Sequence, residues 1–242
     1  MTSFALKLIA ALTMLIDHTG LILFPKLIVF RIIGRLAFPI YAYCIAEGFR
    51  CTRNRFRYFL RIFLLGLLCQ IVYCVVTHDM YIGILLVFSM SIIIMALVDS
   101  VIVSVNGNKS PLASLTERLF HCKLTDKQDK TISIILCCTA VAAAFILCLF
   151  VQVDYGFFGI MLPVFTSIFK DRKKRLVMFS ACLIALCIDL TDTLLVQYWS
   201  LAAIPLIALY NGEKGKHSLK YFFYVFYPLH LVVLYGIQFL IN

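Results

Sequence analysis

The sequence predicts an all-α, polytopic integral membrane protein of about nine transmembrane helices with its N-terminus in the cytoplasm. Three observations carry that prediction. Hydrophobic residues make up 63% of the chain and charged ones 14%, for a mean hydropathy of +0.99. The apolar residues fall in runs of spanning length. Basic residues crowd into alternate connections between those runs. A soluble domain carries roughly 25% charged residues, so a soluble fold, intrinsic disorder and a disulfide-stapled secreted scaffold are all excluded.

A bilayer core of ~30 Å takes about 20 apolar residues in helical form. Taken in order, the runs are approximately 4–24, 27–49, 57–77, 81–105, 131–152, 155–169, 175–191, 193–210 and 219–241. The sixth and eighth are short and contain Pro163 and Pro205, which leaves eight as the alternative count. The first run lacks a basic leading region and a small-residue cleavage site, and it carries Lys7, Asp17 and His18, unlike a cleaved signal peptide. The chain reads as a single domain, 1–242, with one long loop at about 106–130.

Orientation follows from the charges. Arg50, Arg53, Arg55, Arg57 and Arg61 follow the second run, and Lys109, Arg118, Lys123, Lys127 and Lys130 lie in or beside the long loop. Lys170, Arg172, Lys173, Lys174 and Arg175 follow the sixth run, and Lys214, Lys216 and Lys220 the eighth. The intervening connections hold Lys26, Asp79, Asp154, Asp189 and Asp192. All but four of the 22 basic residues therefore share one face, which the positive-inside rule makes cytoplasmic. The net charge of +10 is thus accounted for by topology, and no nucleic-acid-binding pattern competes for it. The ten cysteines, among them the adjacent Cys137 and Cys138, form no CxxC or metal-ligand spacing and mostly sit in apolar runs as small hydrophobes. No metal is expected. Walker and GxSxG motifs are absent, as is any internal repeat of the kind transporters show.

Lys7, Arg31 and Arg35 have no topological reason to be where they are. They lie within runs, with Asp17, His18, Glu47 and Asp99. A charge at membrane depth costs roughly 2.5–3.5 kcal/mol, so such groups face protein and find partners. Lys7 and His18, eleven positions apart, share a helix face about 16 Å apart along the axis. Arg31 and Arg35 are an i,i+4 pair. The opening hairpin therefore presents two tiers: Lys7 with Glu47 on the cytoplasmic side, and Asp17, His18, Arg31 and Arg35 farther out. Imidazole titrates near neutrality and a carboxylate can orient it, which suits proton transfer. Adjacent residues do not face each other on a helix, so either Asp17 pairs with His18, or His18 finds its partner elsewhere and Asp17 takes Arg35. The last run adds Tyr224, Tyr227 and His230 at i,i+3 steps around Pro228, a second polar wall. Asp154-Tyr155-Gly156 and Asn211-Gly212 read as structural turns.

The same stretches resemble the TraX family, the pilin acetylases of conjugation systems and their relatives. The matching pieces are LKLIAALTMLIDHTG at 6–20, GRLAFPIYAYCIAEGF at 34–49, DYGFFGIMLPV at 154–164, LAAIPLIALYNGEKG at 201–215 and FYVFYPLHLVVL at 223–234. TraX proteins are in turn similar to the acyltransferase-3 proteins and the lysosomal glucosaminide acetyltransferase. In acyltransferase-3 proteins a basic residue precedes a His by eleven positions, the spacing of Lys7 and His18. Where TraX relatives often carry Asn before the fourth span, this chain reads Met80-Tyr81-Ile82-Gly83.

The resemblance implies a multi-pass protein of the bacterial inner membrane. It would move an acetyl group from cytoplasmic acetyl-CoA, as cosubstrate, to an amine or hydroxyl acceptor at the outer face, a pilin N-terminus or a sugar. His18 would act as general base, with Asp17 and Arg35 as its catalytic companions. Lys7, Arg31, Glu47, Arg53, Arg55 and Arg57 would hold the CoA moiety, the three arginines after the second run meeting its phosphates. Tyr227 and His230 would meet the acceptor. Direct transfer and an acetyl-histidine intermediate both remain open, as does a homodimer. The alternative from another class is a small proton-coupled transporter using the same buried charges.

Overall fold

The computed structural model describes residues 1–77, 81–121, 123–190, 195–215 and 220–241. Asp79, Met80, Asp192 and Lys216, used above, lie outside them, as do the side chains of Lys220 and Tyr224. Each apolar run coincides with helix: α1 (Ser3–Ile22), α2 (Ile28–Gly34) with α3 (Ala37–Cys51), α4 (Arg55–Thr77), α5 (Ile84–Val105), α7 (Asp126–Phe150), α8 (Gly156–Ile168) and α9 (Arg172–Asp189). A 3₁₀ segment, Leu195–Ala202, leads into α10 (Ala203–Ala208), and α11 (Lys220–Ile241) is the last helix. The long loop is itself partly helical, as α6 (Pro111–Phe120).

Among the described residues, five stretches are long and apolar enough to cross a membrane: Ser3–Ile22, Ile28–Cys51, Arg55–Val75, Ile84–Val105 and Asp126–Phe150. Gly156–Ile168, Leu195–Ala208 and Val225–Ile241 are shorter apolar helices. The chain is an all-α membrane protein.

The second run is broken rather than continuous, between α2 and α3. Pro39 explains the position. It has no N–H to give the carbonyl of Arg35 four residues back, and its ring crowds that carbonyl. The helix therefore closes at Arg35 and restarts at Ala37.

Two compact units form, Met1–Gly48 with Asp171–Asn242, and Phe49–Lys170. In the first, α1 packs on α2 and α11. Two glycines permit the closeness of α1 and α2. A Cβ at Gly20 would lie 2.2 Å from that of Phe30, and one at Gly34 would lie 2.2 Å from the Cβ and Oδ1 of Asp17. The Asn211-Gly212 turn forms as expected, with Gly212 at φ 85. It wraps the start of α1, where the N–H groups of Ser3 and Phe4 donate to the carbonyls of Glu213 (2.8 Å) and Lys214 (3.3 Å). These are helix N–H groups with no intrahelical acceptor, so the distant turn supplies the cap.

In the second unit α5 is central, packed by α4, α7 and α8. Gln70 of α4 fixes the entry to α5. Its amide donates to the Tyr81 carbonyl at 2.5 Å and accepts from the Gly83 N–H at 3.0 Å. There the chain makes a two-residue parallel pairing of β1 (Tyr81–Ile82) with β2 (Gln152–Val153), which the apolar runs concealed.

Candidate functional site

The buried residues of α1 fall in two rows at i+3 and i+4 steps. Leu6, Ala10, Thr13 and Gly20 make one, and Ala11, Met14 and Ile22 the other. Asp17 continues the first row and His18 the second. An α-helix turns consecutive residues about 100° apart, so the two neighbours point at different helices.

Asp17 meets α2. Its Oδ2 accepts from Nη1 of Arg31 at 2.7 Å, and both side chains are largely buried. Arg35, one turn on, lies within electrostatic reach of the same carboxylate. The sequence leaves His18 or Arg35 open as the companion of Asp17; the structure adds Arg31 as a hydrogen-bonded partner, with Arg35 close by. Arg31 lies within α2 and Arg35 caps its end.

His18 meets α11. Its Nδ1 lies 2.7 Å from Nε2 of His230, and the two rings stack with centroids 4.9 Å apart. Nδ1 of His230 lies 2.7 Å from the carbonyl oxygen of Phe226. A carbonyl can only accept. With both rings neutral, His230 Nδ1–H therefore donates to Phe226, His230 Nε2 is left as an acceptor, and His18 Nδ1–H donates to it. The lone pair of His18 is thereby placed on Nε2. Tyr227 crosses His230 edge-on, ring centroids 5.9 Å apart, so the two residues expected at the acceptor do stand together. His230 touches His18 directly, a partner 212 positions away that no spacing rule reveals.

Farther down α11, the Gln238 amide donates to the Ile22 carbonyl at 3.3 Å. With the His18–His230 contact, this makes α1 and α11 run in the same direction.

The tier expected from Lys7 and Glu47 is led by a different cation. Lys7 is half-buried on α1, while the Glu47 carboxylate forms an ion pair with Arg175 of α9. The sequence places Arg175 among the topological cations, yet it is 7% exposed. The edge-on packing of Tyr43 on Phe179, centroids 5.7 Å apart, brings α3 and α9 together beside it. The available signal is Glu47 itself, an intramembrane carboxylate that needs a cation.

In the second unit, Arg55 Nη1 bonds Asp99 Oδ2 at 2.5 Å and its guanidinium lies 4.4 Å above the Phe49 ring. Arg53 and Arg57 are exposed. Asp99, counted above among the charges within runs, thus has a half-exposed partner rather than a buried one. Among the described residues, no three His, Cys, Asp or Glu side chains gather as a metal centre requires.

Taken together, these observations define a class: membrane-embedded proteins whose titratable side chains are gathered by the opening helical hairpin and the closing helix. The model of the TraX protein family matches residues 3–238, and the chain belongs to the TraX family. It is 25% identical over 256 residues to the "Probable fimbrial assembly protein FimC, serogroup H1" of Dichelobacter nodosus, covering 96% of this chain and 94% of that protein. It is also 46% identical over 44 residues to "Uncharacterized protein RP591" of Rickettsia prowazekii (strain Madrid E), 18% of each. No solved structure matches.

Proposed function

We propose that this protein is a multi-pass enzyme of the bacterial inner membrane, associated with pilus assembly. It acetylates an amine or hydroxyl at the outer face, a pilin N-terminus foremost, at the expense of cytoplasmic acetyl-CoA. The single observation that carries the reading is the 2.7 Å contact between His18 and His230, because it leaves a lone pair on His18 Nε2 inside the membrane-spanning region. Family membership and the likeness to a fimbrial assembly protein support the pilus connection. The common direction of α1 and α11 supports the nine-span topology, in which the first and ninth spans both run outward.

Acetyl-CoA supplies the activated acyl group. His18 Nε2 accepts the proton of the acceptor N–H or O–H as the acceptor's lone pair forms a bond to the thioester carbonyl carbon. Arg35, at the junction of α2 and α3, stabilises the negative oxygen that results. As the carbon–sulfur bond breaks, the His18 imidazolium returns its proton to the departing thiolate. His230 holds the His18 ring in the required tautomer, as an orienting partner does for other catalytic histidines. Asp17 fixes Arg31, and the Arg31–Asp17 pair stiffens the wall beside the base. Lys7 and Glu47 belong to the path expected for the pantetheine arm. Arg53 and Arg57 are the exposed guanidinium groups suited to nucleotide phosphates, and Arg55 is already bonded to Asp99.

The test uses purified protein in lipid nanodiscs with acetyl-CoA and a pilin N-terminal peptide. His18→Ala is expected to lower acetyl transfer by roughly 10²–10⁴ in protein that still folds and unfolds cooperatively. CoA and acetyl-CoA should each raise the unfolding temperature of the wild type, since a ligand that binds the folded state stabilises it. Turnover unchanged by His18→Ala would remove this residue from the chemistry.

A further inference from the structure

We infer, independently of the acetyltransferase reading, that α6 is a membrane-surface helix whose apolar face inserts among anionic phospholipid headgroups of the bilayer that the neighbouring helices enter.

The sequence forms this helix for local reasons. Ser110 is its N-cap, accepting from the Ala113 N–H at 3.0 Å, and Pro111 occupies the first turn, where its missing N–H costs nothing. The cap is bolted to α7. The Ser110 N–H and hydroxyl donate to the two oxygens of the buried Asp129 at 3.0 and 2.5 Å. Asp129 lies in the first turn of a helix long and apolar enough to cross a membrane. The start of α6 is therefore held at the polar end of a span. Its ten residues measure about 15 Å, so no part of it can travel far from the headgroup layer.

The helix is two-sided. Ala113 is buried, while Leu115, Leu119 and Phe120 are 51%, 61% and 74% exposed. An apolar strip that exposed would be a liability in water but is the expected face of a helix lying in a lipid interface. Arg118 on the helix, with Lys123, Lys127 and Lys130 just beyond it, is exposed. Of the acidic groups nearby, Glu117 is bonded to Lys109 and Asp129 is buried, which leaves Asp126 as the exposed, uncommitted one among the described residues. Cations flanking an apolar strip complement anionic lipid, each contributing through the surface potential.

The 242-residue chain allows a direct test, because it has one tryptophan, Trp199. In a Trp199→Phe background, Phe120→Trp places a fluorescent probe at an exposed position that any side chain can occupy. Reconstituted into phosphatidylcholine vesicles containing phosphatidylglycerol and a brominated lipid, the probe's emission should shift to the blue and be quenched. Both effects should be clearly weaker in phosphatidylcholine alone. Neutralising Arg118, Lys123 and Lys127 to Gln should reduce the inserted-to-free ratio roughly fivefold for each charge. A probe unquenched in both lipid compositions would overturn insertion. Equal quenching in both would overturn the role of anionic lipid. Burial of the probe that rises with protein concentration in detergent would assign the face to a second copy instead. Leu119→Ser, added to the probe-bearing protein, thins the same apolar strip and should lower the quenching; quenching left unchanged would show that the strip does not hold the helix in lipid.

Discussion

The two compact units differ in the polar side chains they bury along their membrane-length helices. In the second unit, α5 buries Ser89, Ser91, Ser100 and Ser104, and every one of these hydroxyls donates to a carbonyl three or four residues back on its own helix. Ser91 also lies 2.7 Å from the Ile160 carbonyl of α8. These groups are neutral and locally satisfied, and they let helices approach without creating a charge. In the first unit the buried groups are Asp17 with Arg31, His18 with His230, and Glu47 with Arg175, each pair bridging different helices. Local satisfaction serves packing. Ionisable groups that depend on distant partners are expensive to keep in a membrane. The second unit holds Asp129 in the first turn of α7 and the Arg55–Asp99 pair half-exposed, and the three pairs of the first unit are the reason to place chemistry there.

If that contrast is sound, a change in the first unit should cost far more than one in the second. Asp17→Asn removes the carboxylate that Arg31 and Arg35 both feel, leaving uncompensated positive charge. Breaking a buried pair in this way costs about 3–5 kcal/mol; the partial exposure of Arg31 places the effect near the lower end. Gly34→Ala should do similar damage by a different route, since its Cβ would overlap the Asp17 carboxylate. Both are checked by thermal unfolding in nanodiscs. An unfolding temperature within error of wild type for both would mean that these charges are not structural partners.

Ser91→Ala probes the second unit. It loses one hydroxyl bonded to two carbonyls, and a single interhelical hydrogen bond in a membrane contributes about 0.6–1 kcal/mol. A small drop in unfolding temperature with unchanged acetyl transfer is expected. A loss of transfer equal to that of His18→Ala would erase the distinction between the units.

How much of this was legible in the sequence depends on how local each feature is. The helices could be read because hydrophobicity is continuous along each run, and the charged tier could be read because Asp17, His18, Arg31 and Arg35 interrupt such runs. Pro39 announced the α2–α3 break, and Ser110-Pro111 announced α6, but the apolar continuity on one side and the loop composition on the other masked them. Partners were another matter. Arg175 is one of five basic residues in six positions, and only the packing of α3 on α9 selects it for burial. The pairing of His18 with His230 arises from the contact of the first helix with the last, which no local pattern encodes. The tautomer that leaves the lone pair on His18 Nε2 depends in turn on the Phe226 carbonyl.

The smallest effect concerns an exposed ion pair, and it isolates burial as the cause of the larger ones. Lys109 and Glu117 are bonded at the edge of α6 in the second unit. The hydrogen bond from Lys109, followed by its charge, holds the Glu117 carboxyl below its ordinary value of 4.5. Because the folded value is the lower one, the contribution of this pair is present above the ordinary carboxylate range and fades as acid titrates Glu117 through the lowered value. Lys109→Met should raise the Glu117 titration midpoint, followed by carboxyl-carbon NMR, back toward the ordinary range. The unfolding temperature should not move measurably, since water already screens the pair. The same chemistry as Asp17 with Arg31, opposite charges in direct contact, would then give a shifted titration and too little stability to move the unfolding temperature where it is wet, and a loss of about 3 kcal/mol where it is dry. An unfolding temperature lowered as much by Lys109→Met as by Asp17→Asn would show that burial does not separate the two pairs.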